Sequence, residues 1–329
     1  MLEHFKNKYT FNLVSILASL CLISACNQGN NNETTPDSEK KDVSMLVNPV
    51  TPNGVRYKDL VFAEVKATRD ITYGENTDQS GSKVSLRMNI FEPVNDQVMN
   101  RPLVVLAHGG GFAEGSKEDF DSLATSLAQS GYVAATIQYR LLAGDNARLQ
   151  IAVVDAVHDM RAAVRFFTKD NQYNIDTQNI FIGGFSAGAV TALHYAYFDN
   201  TNLATASPTI KNYIASVGFT GTSGNAGASE TVKGVINIAG GLFRANWVDA
   251  GEPILYSIHG TADPSYTKEP AAINDPNGDF TEGSGLIHPR ANAVNVTNTL
   301  KKIEGGNHGA FFNCTECYAE IRAFLAQHL

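Results

Sequence analysis

From Asp59 onward, short apolar runs of four to eight residues alternate with longer amphipathic stretches. That rhythm predicts βαβ units and a mainly parallel sheet. Strands are expected at Leu60–Ala67, Val84–Phe91, Leu103–Ala107, Val133–Gln138, Ile180–Ile182, Val235–Ala239 and Ile254–His259. In the first two, apolar and polar residues alternate (Leu86, Met88, Ile90), as suits an antiparallel hairpin at a sheet edge. The later runs are almost wholly apolar, as a sheet covered by helices on both faces requires. Helices are expected at Phe120–Ser130, closed by Gly131, and at Ile151–Phe167, Ala187–Tyr197, Ala291–Ile303 and Tyr318–His328. Ile151–Phe167 carries Val154, Val157, Val164 and Phe167 on one face with Arg161 and Arg165 opposite. The pattern as a whole predicts an α/β domain over residues 56–329.

Two stretches break the rhythm. Asn200–Thr231 is rich in Ala, Ser, Thr and Gly, and Ser265–Ser284 is polar with Pro270 and Pro276. Both leave from strand ends where an α/β sheet builds its ligand site, so they are expected to wall or cover a pocket. For Ser265–Ser284 a plain surface excursion serves as well.

The first residues follow a different pattern. Lys6 and Lys8 precede the apolar run Phe11 to Ile23, which at about 13 residues is too short to cross a bilayer needing ~20. Ile23-Ser24-Ala25-Cys26 then resembles a bacterial lipobox, in which the Cys is acylated and becomes the new N-terminus. An ordinary secretory signal with a chance Cys is the alternative. The polar sequel supports the first reading, since Asn27 to Lys41 suits a flexible tether between anchor and domain. Residues 1–25 are thus expected to be a lipoprotein signal peptide and 26–55 a tether. The lipid on Cys26 would hold the domain outside the cytoplasm, at the bacterial envelope, and Asn27 fits the outer membrane. Of the remaining Cys, Cys314 and Cys317 form a lone Cys-x-x-Cys with no second pair to complete a zinc site. A local disulfide suits that address. The net charge of −8 and the lack of a basic stripe exclude nucleic acid as a partner. No feature indicates oligomeric state.

The chemistry is carried by four short segments. Gly184-Phe185-Ser186-Ala187-Gly188 lies between an expected strand and an expected helix. A nucleophile elbow needs that context, because the turn is too sharp for bulky neighbours and the helix N-terminus favours developing negative charge. A Ser nucleophile needs a base. Of eight His, His4 falls in the signal segment, His158 and His194 fall in helices where packing explains them, and His328 ends the chain. His259 is read as a strand-end residue. His308 sits in the Gly-rich loop Gly305–Gly309 and is the expected base, with His288, placed in a loop before Pro289, as rival. Asp263 follows a strand and precedes Pro264, which makes it the expected acid. The order Ser, Asp, His is that of α/β-hydrolases. Finally, His108-Gly109-Gly110-Gly111-Phe112 directly follows the strand Leu103–Ala107. Three adjacent glycines weaken a fold unless bare N–H groups must approach a ligand. The amides of Gly110, Gly111 and Ala187 are therefore expected to form an oxyanion hole, with His108 and Gly109 supporting the loop.

With these motifs the chain, from about Leu60 to Leu329, resembles the HGGG-class esterases of the α/β-hydrolase fold. Hormone-sensitive-lipase-like enzymes and carboxylesterases are among them, and the likeness is greatest to the feruloyl/acetyl-xylan-esterase-like BD-FAE group. Tyr139-Arg140 and Gly183–Ala189 add to the likeness, whereas Phe185 stands where many such esterases carry Asp, Glu or His. The resemblance implies hydrolysis of a small or polysaccharide-linked ester without a metal or organic cofactor. An amidase or peptidase on the same machinery, and a catalytically inert glycan-binding surface lipoprotein, are the other readings.

Overall fold

A computed structural model describes residues 54–145, 147–267 and 281–329. The expected signal peptide, nearly all of the tether including Cys26, and the middle of Ser265–Ser284 lie outside the described residues. Eight strands form the main sheet: β1 (Val65–Thr77), β2 (Lys83–Pro93), β3 (Arg101–Ala107), β4 (Val133–Ile137), β5 (Ile175–Phe185), β6 (Gly234–Ile238), β8 (Ile254–Gly260) and β10 (Asn298–Ile303). Their order across the sheet is β1-β2-β4-β3-β5-β6-β8-β10. Pairing is antiparallel at β1–β2 and β2–β4 and parallel from β4 to β10. This is the α/β-hydrolase arrangement, with the antiparallel N-terminal edge that the alternation in β2 implied. A two-residue ladder pairs β7 (Gly241–Leu242) with β9 (Glu282–Gly283).

Helices cover both faces, and strand parity decides which side chains meet which helices. In β3, Leu103 and Val105 belong to one core with residues of α2 (Leu149–Lys169), α3 (Ala187–Tyr197) and α5 (Ser284–Ala293). Val104 and Leu106 point the other way, into a core shared with α1 (Asp121–Gln129) and α6 (Cys317–Gln327). That two-sided burial is why the β3 run contains no exposed position.

Several expectations need correction. The stretch Ala291–Ile303 is not one helix. Asn295 takes a left-handed φ of 59° and ends α5, after which Asn298–Ile303 turns into β10, parallel to β8. The strand expected at Leu60–Ala67 begins at Val65; Val61 and Phe62 instead donate their N–H groups to Gln129 O at the end of α1. The polar edge strand β1 continues to Thr77 because pairing to β2 compensates for weak apolar patterning, with a bulge where the Asp70 backbone N–H donates to Asn89 Oδ1. Asn200–Thr231 contains α4 (Pro208–Val217), started by Ser207 accepting from Ile210 N and by Pro208 in the first turn. His288 lies inside α5, buried, with Nδ1 bonded to Asn298 Oδ1. Arg161 and Arg165, expected opposite the apolar face of that helix, are buried and paired with Glu230.

Candidate active site

The site lies at the C-terminal ends of β3, β5 and β8, where the parallel strands release their loops. Ser186 joins β5 to α3 with φ 52° and ψ −116°, a backbone that side chains rarely adopt. Its N–H is pinned to Ile238 O of β6 at 2.9 Å. The flanking glycines are dictated by the neighbouring strand. A Cβ on Gly184 would lie 2.3 Å from Ala107 O, and one on Gly188 would lie 2.1 Å from the same oxygen. The elbow can therefore press against the end of β3 only without those side chains.

His308 approaches from the loop after β10. Its Nε2 lies 2.8 Å from Ser186 Oγ, and its Nδ1 lies 2.6 Å from Asp263 Oδ2. The imidazole is 44% exposed while the Asp263 side chain is only 3% exposed, so the base faces solvent and the acid does not. Gly260 makes this approach possible: a Cβ there would meet Gly306 O at 2.2 Å, and Ala262 N donates to that oxygen at 2.9 Å. Burial pushes the Asp263 carboxyl up, but hydrogen bonds from His259, His308 and Ser265 N outweigh it and hold the group well below the usual carboxylate range. The rival His288 is elsewhere, its imidazole pushed down to about 4 by burial.

The glycine loop sits beside the elbow. Gly110 and Gly111 take φ of 103° and 60°, and Gly110 O accepts from Ala113 N and Glu114 N to close a tight turn. Among the described residues, the amides of Gly110, Gly111 and Ala187 have no acceptor in the chain. His108 is buried, and burial pushes its pKa down; Nδ1–H donates to Gly109 O at 2.7 Å. Gly109 is needed because Phe185 occupies the space a Cβ would take, 2.7 Å away. Tyr139, just past the end of β4, stacks on the His108 ring at 4.4 Å, and its hydroxyl donates to His108 O at 2.8 Å. Arg140 beside it is buried against Asp155 and Asp159 of α2 and fixes the Tyr139 backbone.

Between these elements lies a groove of about 560 Å³ lined by Gly109, Gly110, Glu114, Phe120, Phe185, Phe312 and their neighbours. Phe185 packs 5.0 Å from the His308 ring and edge-on to Phe312, which is 56% exposed. Cys314 and Cys317 are disulfide-bonded directly after this segment. Among the described residues no group of three or more His, Cys, Asp and Glu could hold a metal ion.

His259 and Tyr139 also take part in the site, beyond the residues that the motifs mark. His259 Nε2 lies 3.0 Å from the same Asp263 oxygen that faces His308. The contact closes over four residues, because the turn after Gly260 returns the Asp side chain to the His.

Comparison with known proteins agrees with the fold and the esterase resemblance. The BD-FAE family model matches residues 88–241, from within β2 to β7, and so includes the glycine loop and the elbow. Among solved structures, esterase 2 of Thermogutta terrifontis phosphorylated by paraoxon superposes with a TM-score of 0.58 at 19% identity, covering 80% of this chain and 94% of that one. A truncated carbohydrate esterase from gut microbiota gives 0.56 at 15% identity, covering 80% and 95%. The propionate-bound form of the Thermogutta enzyme gives 0.55 at 20%, covering 78% and 93%.

Proposed function

We propose that the chain is a BD-FAE-like esterase of the α/β-hydrolase fold that cleaves carboxylic esters through an acyl-enzyme on Ser186. One observation carries this reading: the unbroken line Ser186 Oγ, His308 Nε2, His308 Nδ1, Asp263 Oδ2, with separations of 2.8 and 2.6 Å. His308 takes the Ser186 proton as Oγ attacks the ester carbonyl, and Asp263 holds the imidazole with Nε2 facing Oγ and stabilises the imidazolium. The carbonyl oxygen, now negative, is received by the amides of Gly110, Gly111 and Ala187, whose N–H groups have no acceptor among the described residues. His308 then protonates the departing alcohol, and water repeats the sequence to release the acid.

The groove lining supports one class of substrate. Phe312 and Phe185 offer an apolar wall open to solvent, and Glu114 is an exposed carboxylate on the rim. Neutral esters of small or polysaccharide-linked alcohols fit that lining, and anionic ones are disfavoured. The gut carbohydrate esterase among the similar folds points the same way. The lipobox-like Ile23–Cys26 supports an extracytoplasmic address with lipid on Cys26 as the only membrane attachment, and the Cys314–Cys317 disulfide is in keeping with an oxidising compartment.

The test is covalent labelling. A fluorophosphonate probe should mark the wild-type chain and leave Ser186→Ala unmarked, with hydrolysis of p-nitrophenyl butyrate lost in parallel. Turnover retained by Ser186→Ala would overturn the assignment. A panel of acetyl, butyryl and feruloyl esters beside the matching anilides then separates ester from amide preference, and Cys26→Ala should release the protein from the membrane fraction.

A further inference from the structure

Asp263 does not hold His308 alone. Its Oδ1 accepts from Ser265 N at 2.9 Å, while Oδ2 faces two imidazoles, His308 Nδ1 at 2.6 Å and His259 Nε2 at 3.0 Å. His259 is the last residue but one of β8, and its side chain is wholly buried. Behind it, Nδ1 lies 2.8 Å from Ser284 Oγ, the first residue of α5.

The proton positions along this line follow from the donors available. Asn237 Oδ1 accepts from Gly240 N at 2.9 Å, which fixes the amide's orientation. Its Nδ2 therefore donates to Ser257 Oγ at 3.0 Å and to Ser284 Oγ at 3.1 Å. Asp263, a carboxylate, can only accept, so His259 Nε2 donates to it, leaving Nδ1 to accept the proton of Ser284 Oγ. The line runs one way, Asn237 to Ser284 to His259 to Asp263, and meets His308 at one carboxylate oxygen.

We infer that His259 is a positioning residue for the reaction: a buried donor that fixes Asp263 Oδ2 in line with His308 Nδ1. A carboxylate bound only by one backbone amide and His308 could rotate about its Cβ–Cγ bond, and each degree of rotation would lengthen the bond to the base. This inference rests on the hydrolase reading given above.

The experiment compares His259→Leu, His259→Gln and Ser284→Ala in the full chain. Gln can reach Asp263 with an amide N–H; Leu cannot. With p-nitrophenyl butyrate, the Leu variant should lose about 10- to 100-fold in kcat, as expected for one hydrogen bond to a charged group felt at the transition state, with KM nearly unchanged. The Gln variant should recover most of that loss. Ser284→Ala, the milder change should the Leu variant fold poorly, frees the His259 tautomer and should lower kcat several-fold with KM unchanged. Proton NMR gives a second readout, because the far-downfield resonance of the His308–Asp263 hydrogen bond should shift or broaden in the Leu variant and return in the Gln variant. Full kcat with an unmoved resonance in the Leu or Ser284→Ala variant, or equal losses in Gln and Leu, would overturn the inference. Fluorophosphonate labelling of the wild type keeps the two ideas apart. A chain that is not labelled at Ser186 fails as a hydrolase, whereas one that is labelled but indifferent to His259 fails only here.

Discussion

Gly110 and Gly111 are neighbours with the same sign of φ, yet the structure assigns them different reasons for being glycine. A Cβ on Gly110 would sit 2.1 Å from Glu114 O and 2.6 Å from Glu114 C, both backbone atoms that cannot rotate away. Relief requires moving the turn by about 1 Å, since carbon and oxygen do not approach below roughly 3 Å. The two bonds to Gly110 O from Ala113 and Glu114 would be strained or lost, and the oxyanion amides would leave their places. A Cβ on Gly111 would meet nothing within 4 Å, so its cost is confined to the left-handed backbone, about 1–2 kcal/mol. Gly110→Ala should therefore lower kcat on p-nitrophenyl butyrate about 10²–10³-fold, the loss expected for one misplaced oxyanion donor. Gly111→Ala should lower the melting temperature by about 2–4 °C and keep kcat within about tenfold of wild type. Both are measured by steady-state kinetics beside differential scanning calorimetry. If Gly110→Ala turns over normally, or Gly111→Ala suffers the larger kinetic loss, the geometric account of this loop is wrong.

Two further outcomes are expected. Tyr139→Phe keeps the ring stacked on His108 but removes the hydroxyl that donates to His108 O; leaving that buried carbonyl unpaired should cost about 1–3 kcal/mol in chemical denaturation, and an unchanged midpoint would refute a supporting role. Acid should destabilise the fold well before its exposed carboxylates titrate. Burial pushes His158, His194 and His288 down to about 3, 4 and 4, so below about pH 6.5 the unfolded chain takes up three protons that the folded chain refuses until those lower values are reached. Asp155 and Glu252, pushed up by burial to about 6 and 7, bind protons in the folded state first and offset part of this. The balance near pH 5 is about one proton taken up on unfolding, or ~1.4 kcal/mol of stability lost per pH unit. Urea titrations at pH 7, 6 and 5 that show no fall in stability would contradict it.

Ser186, the glycine loop and the parallel core were legible because each imposes a local demand that few residues meet. A buried strand must be apolar on both faces, and a turn pressed on a carbonyl must be glycine. Asp263 and His308 could be named only as candidates from chain order and loop composition. What the sequence hid depends on neighbours distant along the chain. β10 has a half-exposed pattern, because only one side of it is paired. α4 lies in a segment too rich in Ala, Ser and Thr to show a strong face. His259 gives no sign of its own that its partner is the carboxylate four residues ahead, since Ser284 and Asn237, which fix its proton, are 25 and 22 positions away.

The close approach of Gly184 and Gly188 to Ala107 O has a consequence for how such a site can change. It welds the nucleophile to the strand that carries the oxyanion loop, so β3, β5 and α3 form one half of the machine. Gly260 packed on Gly306 welds Asp263 to His308 in the same manner, making β8 and β10 the other half. The single reacting contact across the seam is His308 Nε2 to Ser186 Oγ. The family match ends at residue 241, on the first half's side of that seam. Each half is thus held internally by backbone touching backbone, a constraint side-chain drift cannot loosen.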